Sequence, residues 1–360
     1  MVAGYAAKEL ASQGLNRGEL TVVSADNAVP YERPPLSKGF LSGKDNEASI
    51  LINAPDWYRE HGIEVRLNTV IEHVDPTQKR LRSNSGEEFE CEHLLLATGA
   101  RAKKLDCPGN DLGNVLYLRS LKDSETIRSR SEDAKAAVIV GGGFIGMEVA
   151  SVLAQKNIRT TLMIREERVW SRVFTPVMSA FFEQYYTARG VRIVKQARVV
   201  AIEGKGGVQA VLLGDNEKIS CDLVVVGVGA VPVTELLEKT VIAIDDGIVV
   251  NEYLEPAAPV STRRETLQII LIPSSGNGGV WSIGTMLFLK VSIGRGLSSE
   301  GGNRLCMSHI SFRMFLTSRM NCRAIQLAQA KLKSDRSRRN GSSRARRFQR
   351  SVCQTRADLR

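Results

Sequence analysis

A spaced glycine triad between an apolar run and a helical pattern constrains this chain more than any other feature: Ala136-Ala-Val-Ile-Val-Gly141-Gly-Gly143-Phe-Ile-Gly146-Met-Glu148-Val-Ala-Ser-Val-Leu153. Ala137 to Val140 is a short, largely β-branched run suited to a strand buried on both faces. Ile145, Val149, Val152 and Leu153 recur at helical spacing. In such a strand–turn–helix unit Gly141 permits the tight turn, Gly143 lets the backbone approach a pyrophosphate, and Gly146 lets the helix pack on the strand. The helix N-terminus, with its unsatisfied N–H groups, attracts the anion. The segment predicts a dinucleotide site, placed in mid-chain and not at the start.

A second strand and a carboxylate strengthen the reading. Thr160 to Ile164 is the strand, and Glu166 follows Gly146 at the distance of about 20 residues expected of an acid that accepts hydrogen bonds from the adenosine ribose. A carboxylate there repels a 2′-phosphate and favours NAD. Arg165, Arg168 and Arg172 pull the other way, since any of them can neutralise a 2′-phosphate, or simply face water as loop residues.

The chain has 360 residues, 43% of them hydrophobic, enough for two ordinary cores. It has no apolar run of about 18 residues, so a membrane span is not expected, and no visible targeting segment. The six cysteines, Cys91, Cys107, Cys221, Cys306, Cys322 and Cys353, form no CxxC or CxxxxC pair. Reduced, buried thiols are therefore expected. His61, His73, His93 and His309 fall in no nucleophile or metal pattern. The net charge of +10 is concentrated at one end: residues 301–360 hold 15 Lys and Arg against Asp335 and Asp358, a net of +13, which leaves −3 on residues 1–300. Arg336 to Arg350 reads as a disordered basic tail, a solvated one unless it meets RNA or an acidic surface.

Along the chain, residues 3–13 read as a helix with an alanine-rich face and Leu20 to Val23 as a strand leading to Asp26, the second part of another βαβ unit. Pro30-Tyr31-Glu-Arg33-Pro-Pro-Leu-Ser-Lys38 is too rich in proline for helix or central strand. Residues 63–67, 69–74 and 80–83, with Phe89, alternate like strands of an antiparallel layer, and a helix is expected at 56–61. Leu94 to Ala97 is an apolar strand ending at Thr98-Gly99-Ala-Arg101. Further on, 178–188 reads as helix, 191–194, 199–203 and 208–213 as strands, Leu223-Val-Val-Val-Gly227-Val-Gly229 as a buried strand, and Ile248-Val-Val as one more.

Two nucleotide units, with one strand ending ATG and a later one ending VGVG, resemble the two-dinucleotide flavoprotein reductases. YERPPLSK at 31–38, GGGFIGMEVA at 141–150, RVFTP at 172–176, YYTARGV at 185–191 and DLVVVGVGAVP at 222–232 together resemble monodehydroascorbate reductases over about residues 3–254. The fold implied is α/β, with two Rossmann-like dinucleotide-binding domains: an incomplete FAD domain over 1–115, an NAD domain over 116–235, a partial return to the first over 236–290, and a basic tail over 291–360.

The resemblance implies FAD as hydride acceptor and NADH as donor, with electrons passed singly to two monodehydroascorbate radicals to regenerate ascorbate, an antioxidant role. It assigns Arg33, Lys38, Thr98, Gly99, Arg101 and Arg119 to FAD and Asp26 to its adenosine ribose. To NADH it assigns Gly141, Gly143, Ile145, Gly146, Glu166, Arg172 and Gly229, and it pairs Lys38 with Glu148 beside the isoalloxazine. A cytoplasmic enzyme acting on a small molecule is the default.

The pattern also departs from the family. The flavin's glycine turn would precede Met1, which leaves the first sheet short of a strand. From about Ser261 the match stops. Val280-Trp-Ser-Ile-Gly284 echoes the family's VYAIGD but has Thr285 where the acid belongs, and a shortened or mis-spliced gene product is the expectation. Three readings stay open: the reductase, with ferredoxin or rubredoxin as alternative acceptors; a catalytically dead remnant that keeps NADH binding; and a nucleic-acid-associated protein acting through its tail.

Overall fold

The computed structural model describes residues 1–76, 78–250 and 256, and two strands at 268–271 and 285–289. Helix α1 (Val2–Ser12) places Ala3, Ala6, Ala7 and Leu10 on one buried face, where small side chains let it lie close to a sheet. Strand β1 (Leu20–Ser24) is buried along its length. The proline-rich loop, expected to be neither helix nor central strand, contains a 3₁₀ turn, Pro34–Ser37. Two prolines open it, where a missing N–H costs no internal bond and a fixed φ fits the turn. Three short helices follow, α2 (Gly39–Ser42), α3 (Glu47–Ile50) and α4 (Pro55–Glu60).

Strand β2 (Glu64–Arg66) corrects the expectation of an antiparallel layer over 63–67, because it pairs parallel to β1 with Val22 opposite Val65. The layer is made instead by β3 (Ile71–Asp75), β4 (Arg80–Ser83) and β5 (Glu88–Glu90), which pair antiparallel. Its apolar face, with Val74 and Leu81, packs against Leu94 and Leu96 of β6 (His93–Ala97). After β7 (Ala100–Ala102) come β8 (Val115–Tyr117), α5 (Leu121–Asp133), β9 (Ala136–Val140), α6 (Phe144–Gln155), β10 (Arg159–Met163), α7 (Pro176–Thr187) and β11 (Val191–Val194). An antiparallel sheet β12 (Val199–Lys205), β13 (Gly207–Leu213) and β14 (Lys218–Ser220) precedes β15 (Leu223–Val226) and β16 (Ala230–Pro232).

Two five-stranded sheets organise these elements. One is wholly parallel, in the order β11-β10-β9-β15-β8. All five residues of β9 and all four of β15 are buried, as continuous apolar runs in a parallel sheet should be. The other has the order β17-β6-β18-β1-β2, where β17 is Gln268–Leu271 and β18 is Thr285–Leu289. A sheet short of a strand was expected here; among the described residues the sheet has five strands. Strand β18 lies antiparallel between β1 and β6 and pairs with both, so the inner edges of two buried strands find backbone partners. Thr285 stands opposite Ser24 and Ala97, at the carboxyl ends of β1 and β6.

The strand expected at Ile248-Val-Val is not formed. Only the isolated bridges Ile244–Ile248 and Val250–Pro256 occur, around a turn with Asp246 and Gly247 at positive φ. Val280 to Gly284 and the basic tail lie outside the described residues. Tyr31, Leu36, Phe40 and Leu41, from the segment after β1, share one hydrophobic cluster with Ile139, Met147, Val149 and Val225 of the parallel sheet and its helix. This packing brings the proline-rich loop to the start of α6.

Candidate functional site

The glycine turn is built with no slack. Gly141 has φ +121, and a Cβ there would lie 2.3 Å from the Gly227 carbonyl oxygen at the end of β15. A Cβ on Gly146 would lie 1.9 Å from the Gly141 carbonyl oxygen. Gly143, the N-cap of α6, is exposed with open space around it, and no side chain caps the helix. The first N–H groups of α6 are therefore left for an anion. Ile145 and Phe144 are exposed on the first turn, 41% and 42%, apolar surface beside a polar turn. Gly229 (φ +118) follows β15, and its carbonyl accepts a hydrogen bond from the Lys103 N–H at 2.9 Å.

Glu166 is exposed on the loop after β10, as are Arg165 and Arg172. Arg168 is committed elsewhere. Its guanidinium donates to the carbonyls of Phe174 (2.7 Å) and Ser171 (2.9 Å) and to Ser179 Oγ (2.9 Å). Trp170, at φ +51, packs its ring against Phe144, Phe174 and Phe182. The loop is thus held from within, which leaves Glu166, Arg165 and Arg172 as the groups free to meet a ribose or phosphate.

A second site lies where β1, the proline-rich loop and the approach to α5 converge. Tyr31 Oη donates to Asp26 Oδ2 at 2.8 Å and accepts from the Leu121 N–H at 2.9 Å, while Asp26 Oδ1 accepts from the Asn27 N–H. Asp26 therefore also orients Tyr31. Arg33, 9% exposed, donates to the Arg119 carbonyl, but its Nε and Nη2 are buried without partners. Burial lowers the pKa of both arginines. For Arg119, with the Arg33 charge adding to the effect, it falls to about 10. The folded state holds this proton less tightly than the unfolded chain, so the penalty is present below pH 10 and is relieved as pH rises above it. The amino end of α1 lies among the same charges, and burial, then Arg33, brings the Met1 amine down to about 5. A buried arginine with unmet donors, beside a half-buried second one at a helix start, fits a pyrophosphate.

The two sites are joined by the loop. Lys38 Nζ lies 2.8 Å from Glu148 Oε1, and Ser37 Oγ donates to Glu148 Oε2. Ser124 Oγ donates to the Leu36 carbonyl at 2.7 Å. Strands β7 and β16 pair antiparallel to form a crossing. There Thr98 Oγ1 donates to the Val233 carbonyl at 2.9 Å, Gly99 takes φ +69, and Arg101 pairs with Glu235. The side chains of Thr98 and Arg101 serve this crossing, and the Gly99 carbonyl accepts from the Val233 N–H at 2.8 Å, a further bond within it. Sequence reasoning did not single out Tyr31, Ser37, Ser120 or Asp123. Ser37 stands inside the quoted YERPPLSK, and Ser120-Leu-Lys-Asp123 spells the capping box that opens α5.

Cys91 and Cys221 are buried, and burial pushes both thiols up to about 12, which leaves them protonated and inert. Among the described residues no group of His, Cys, Asp and Glu could hold a metal ion, and no helix is long and apolar enough to cross a membrane.

A glycine turn opening a helix beside a parallel sheet, linked to a buried cationic site at a second sheet, defines a nucleotide-binding α/β protein with two strand-end sites. Residues 2–260 match the family described as pyridine nucleotide-disulphide oxidoreductase, and the chain belongs to it. The family's cofactors are FAD and NAD(H). The chain is 36% identical over 239 residues to the rubredoxin-NAD(+) reductase of Pseudomonas putida, covering 66% of this chain and 62% of the relative. It is 38% identical over 276 residues to the peroxisomal monodehydroascorbate reductase 4 of Arabidopsis thaliana, covering 71% and 56%. A crystal structure of a ferredoxin reductase from Rhodopseudomonas palustris superposes with a TM-score of 0.69 at 32% identity, over 75% of this chain and 65% of that one. The chain thus spans less than two thirds of the length of each.

Proposed function

We propose that this chain is a cytoplasmic, NADH-dependent, FAD-linked oxidoreductase of the monodehydroascorbate reductase type. One NADH and one proton would reduce two monodehydroascorbate radicals to two ascorbates and release NAD⁺. The observation that carries the reading is the junction of the two sites, where Ser37 and Lys38 of the cationic loop meet Glu148, five residues past Gly143 on the helix that the glycine turn opens. A donor site and an acceptor site tied together in this way suit electron transfer between two bound cofactors.

The residues divide by site. Arg33 and Arg119, with the α1 N-terminus, would hold the FAD pyrophosphate, Asp26 its ribose, and the Gly99 turn would admit its backbone approach. Gly141, Gly143 and Gly146 would hold the NADH pyrophosphate at α6, with Ile145 covering it, Glu166 on the adenosine ribose and Arg172 and Gly229 at the rim. Lys38, held by Glu148, would place a cation beside the flavin ring. Bound flavin supplies the exchange of a two-electron donor for one-electron acceptors, which no side chain here can perform.

Incubated with FAD, the chain should turn yellow and retain flavin through gel filtration. It should then oxidise NADH when monodehydroascorbate is generated in the cuvette. A colourless protein that takes up no FAD in titration would sink the proposal. The similarity to rubredoxin and ferredoxin reductases supports a second reading, a small redox protein as acceptor. NADH oxidation that responds to rubredoxin or ferredoxin but not to the radical selects it.

Glu166→Ala is expected to weaken NADH binding by about tenfold, as loss of a charge-assisted bond to ribose should, and to narrow the preference over NADPH. Fluorescence titration with both nucleotides checks this. Unchanged affinity for both would remove Glu166 from the site.

A further inference from the structure

The Glu148 carboxylate receives two donors from two consecutive residues. Lys38 Nζ lies 2.8 Å from Oε1, and Ser37 Oγ donates to Oε2. The two donors stand in different surroundings. The lysine side chain is 51% exposed, so its attraction is screened by water and salt, whereas Ser37 is buried at 5%. Ser37 has a single hydroxyl hydrogen, and its other nearby acceptor, the Pro34 carbonyl, is 3.4 Å away, at the edge of hydrogen-bond range. The hydrogen therefore belongs to Glu148. A carboxylate tied at both oxygens cannot turn about its terminal bond, and a buried bond to a charged acceptor is the one that sets its plane.

From this geometry we infer that Ser37 is a positioning residue. It orients the Glu148 carboxylate and, through it, the Lys38 ammonium, and it latches the 3₁₀ turn Pro34–Ser37 to helix α6. The inference rests on the function proposed above. Other hydrogen bonds tie this loop to α5, where the Leu121 N–H donates to Tyr31 Oη and Ser124 Oγ to the Leu36 carbonyl. Neither reaches the helix that begins at the glycine turn. Without the Ser37 hydroxyl the carboxylate is free to rotate and the half-exposed lysine to leave with it. Both nucleotide sites keep their own contacts, but the cation between them loses its fixed place. The expected cost falls on the transfer step and not on binding, because a displacement of about 1 Å in a reacting pair can lower its rate by about a hundredfold.

The full chain loaded with FAD tests this as wild type, Ser37→Ala and Ser37→Thr. Rapid mixing with NADH gives the limiting rate of flavin bleaching and the apparent NADH affinity, and a redox titration gives the flavin potential. Ser37→Ala is expected to lower the limiting rate by about tenfold or more while leaving NADH affinity within about twofold, and to shift the potential, with the threonine variant restoring both. Wild-type bleaching with an unshifted potential in Ser37→Ala overturns the inference. So does a slowed Ser37→Ala that threonine does not rescue and that has lost FAD or melts lower, since a merely structural role produces that result. A wild-type chain that takes up no FAD ends the proposed function and this inference together, whereas normal behaviour of Ser37→Ala in a flavin-loaded chain ends this inference alone.

Discussion

Gly146→Ala should lose NADH binding and lower the stability of the chain. The added methyl would stand 1.9 Å from the Gly141 carbonyl oxygen, a backbone atom with nowhere to go. Gly141 N–H donates to the Met163 carbonyl at 2.8 Å, and the other side of the turn is pressed against Gly227. Relief requires α6 to move off the end of β9, carrying the anion-binding N–H groups with it. Overpacking of this kind costs about 1–3 kcal/mol, and the displaced helix start should weaken NADH binding by more than about tenfold. Thermal unfolding and NADH fluorescence titration report the two effects. FAD uptake, set at the other sheet, should survive. A variant with the wild-type melting temperature and NADH affinity would show that the turn tolerates a side chain and that its spacing carries no binding role.

Arg33→Met should divide stability from function. The guanidinium is buried beside the half-buried Arg119, with Nε and Nη2 unsatisfied, so the chain without ligand pays for a charge it does not use. Replacing it by an apolar side chain of similar length removes that desolvation and the repulsion from Arg119. It loses one bond to the Arg119 carbonyl. Buried charges replaced in this way are often neutral or stabilising by about 1–4 kcal/mol. The FAD-free variant should therefore melt at or above the wild-type temperature. Its FAD affinity should fall by about tenfold or more, because a charge-assisted bond to phosphate contributes about 1.5–3 kcal/mol. A variant that melts well below wild type would mean the arginine is structural. Unchanged FAD affinity would remove it from the flavin site.

Much of the parallel sheet was legible because its strands carry their signal locally. Ala136 to Val140 and Leu223 to Val226 are apolar on both faces, and in a parallel sheet both faces are buried. The glycine positions were equally readable, since positive φ and close backbone approach admit little else. Residues 63–67 misled because alternation reports which side of a strand is wet, not which strand lies beside it. Ile248-Val-Val misled because β propensity without a neighbouring edge makes no ladder. The hydrogen bond from Tyr31 to Asp26 and the commitment of Arg168 to its own loop were invisible for a related reason: a side chain's partner depends on segments that approach only after folding.

By itself the sequence determined the glycine turn at 141–146, the α/β class, and the residue types able to hold a dinucleotide, because these follow from periodicity and backbone freedom within a few residues. The tertiary structure decided what those residues are joined to. It set β18 between β1 and β6, buried Arg33 beside Arg119, and brought Ser37 and Lys38 to Glu148 across more than 100 residues of chain. The physical reason is that burial and pairing are properties of the packed interior, where the proline-rich loop and helix α6 share one hydrophobic cluster and their polar groups must find one another out of water.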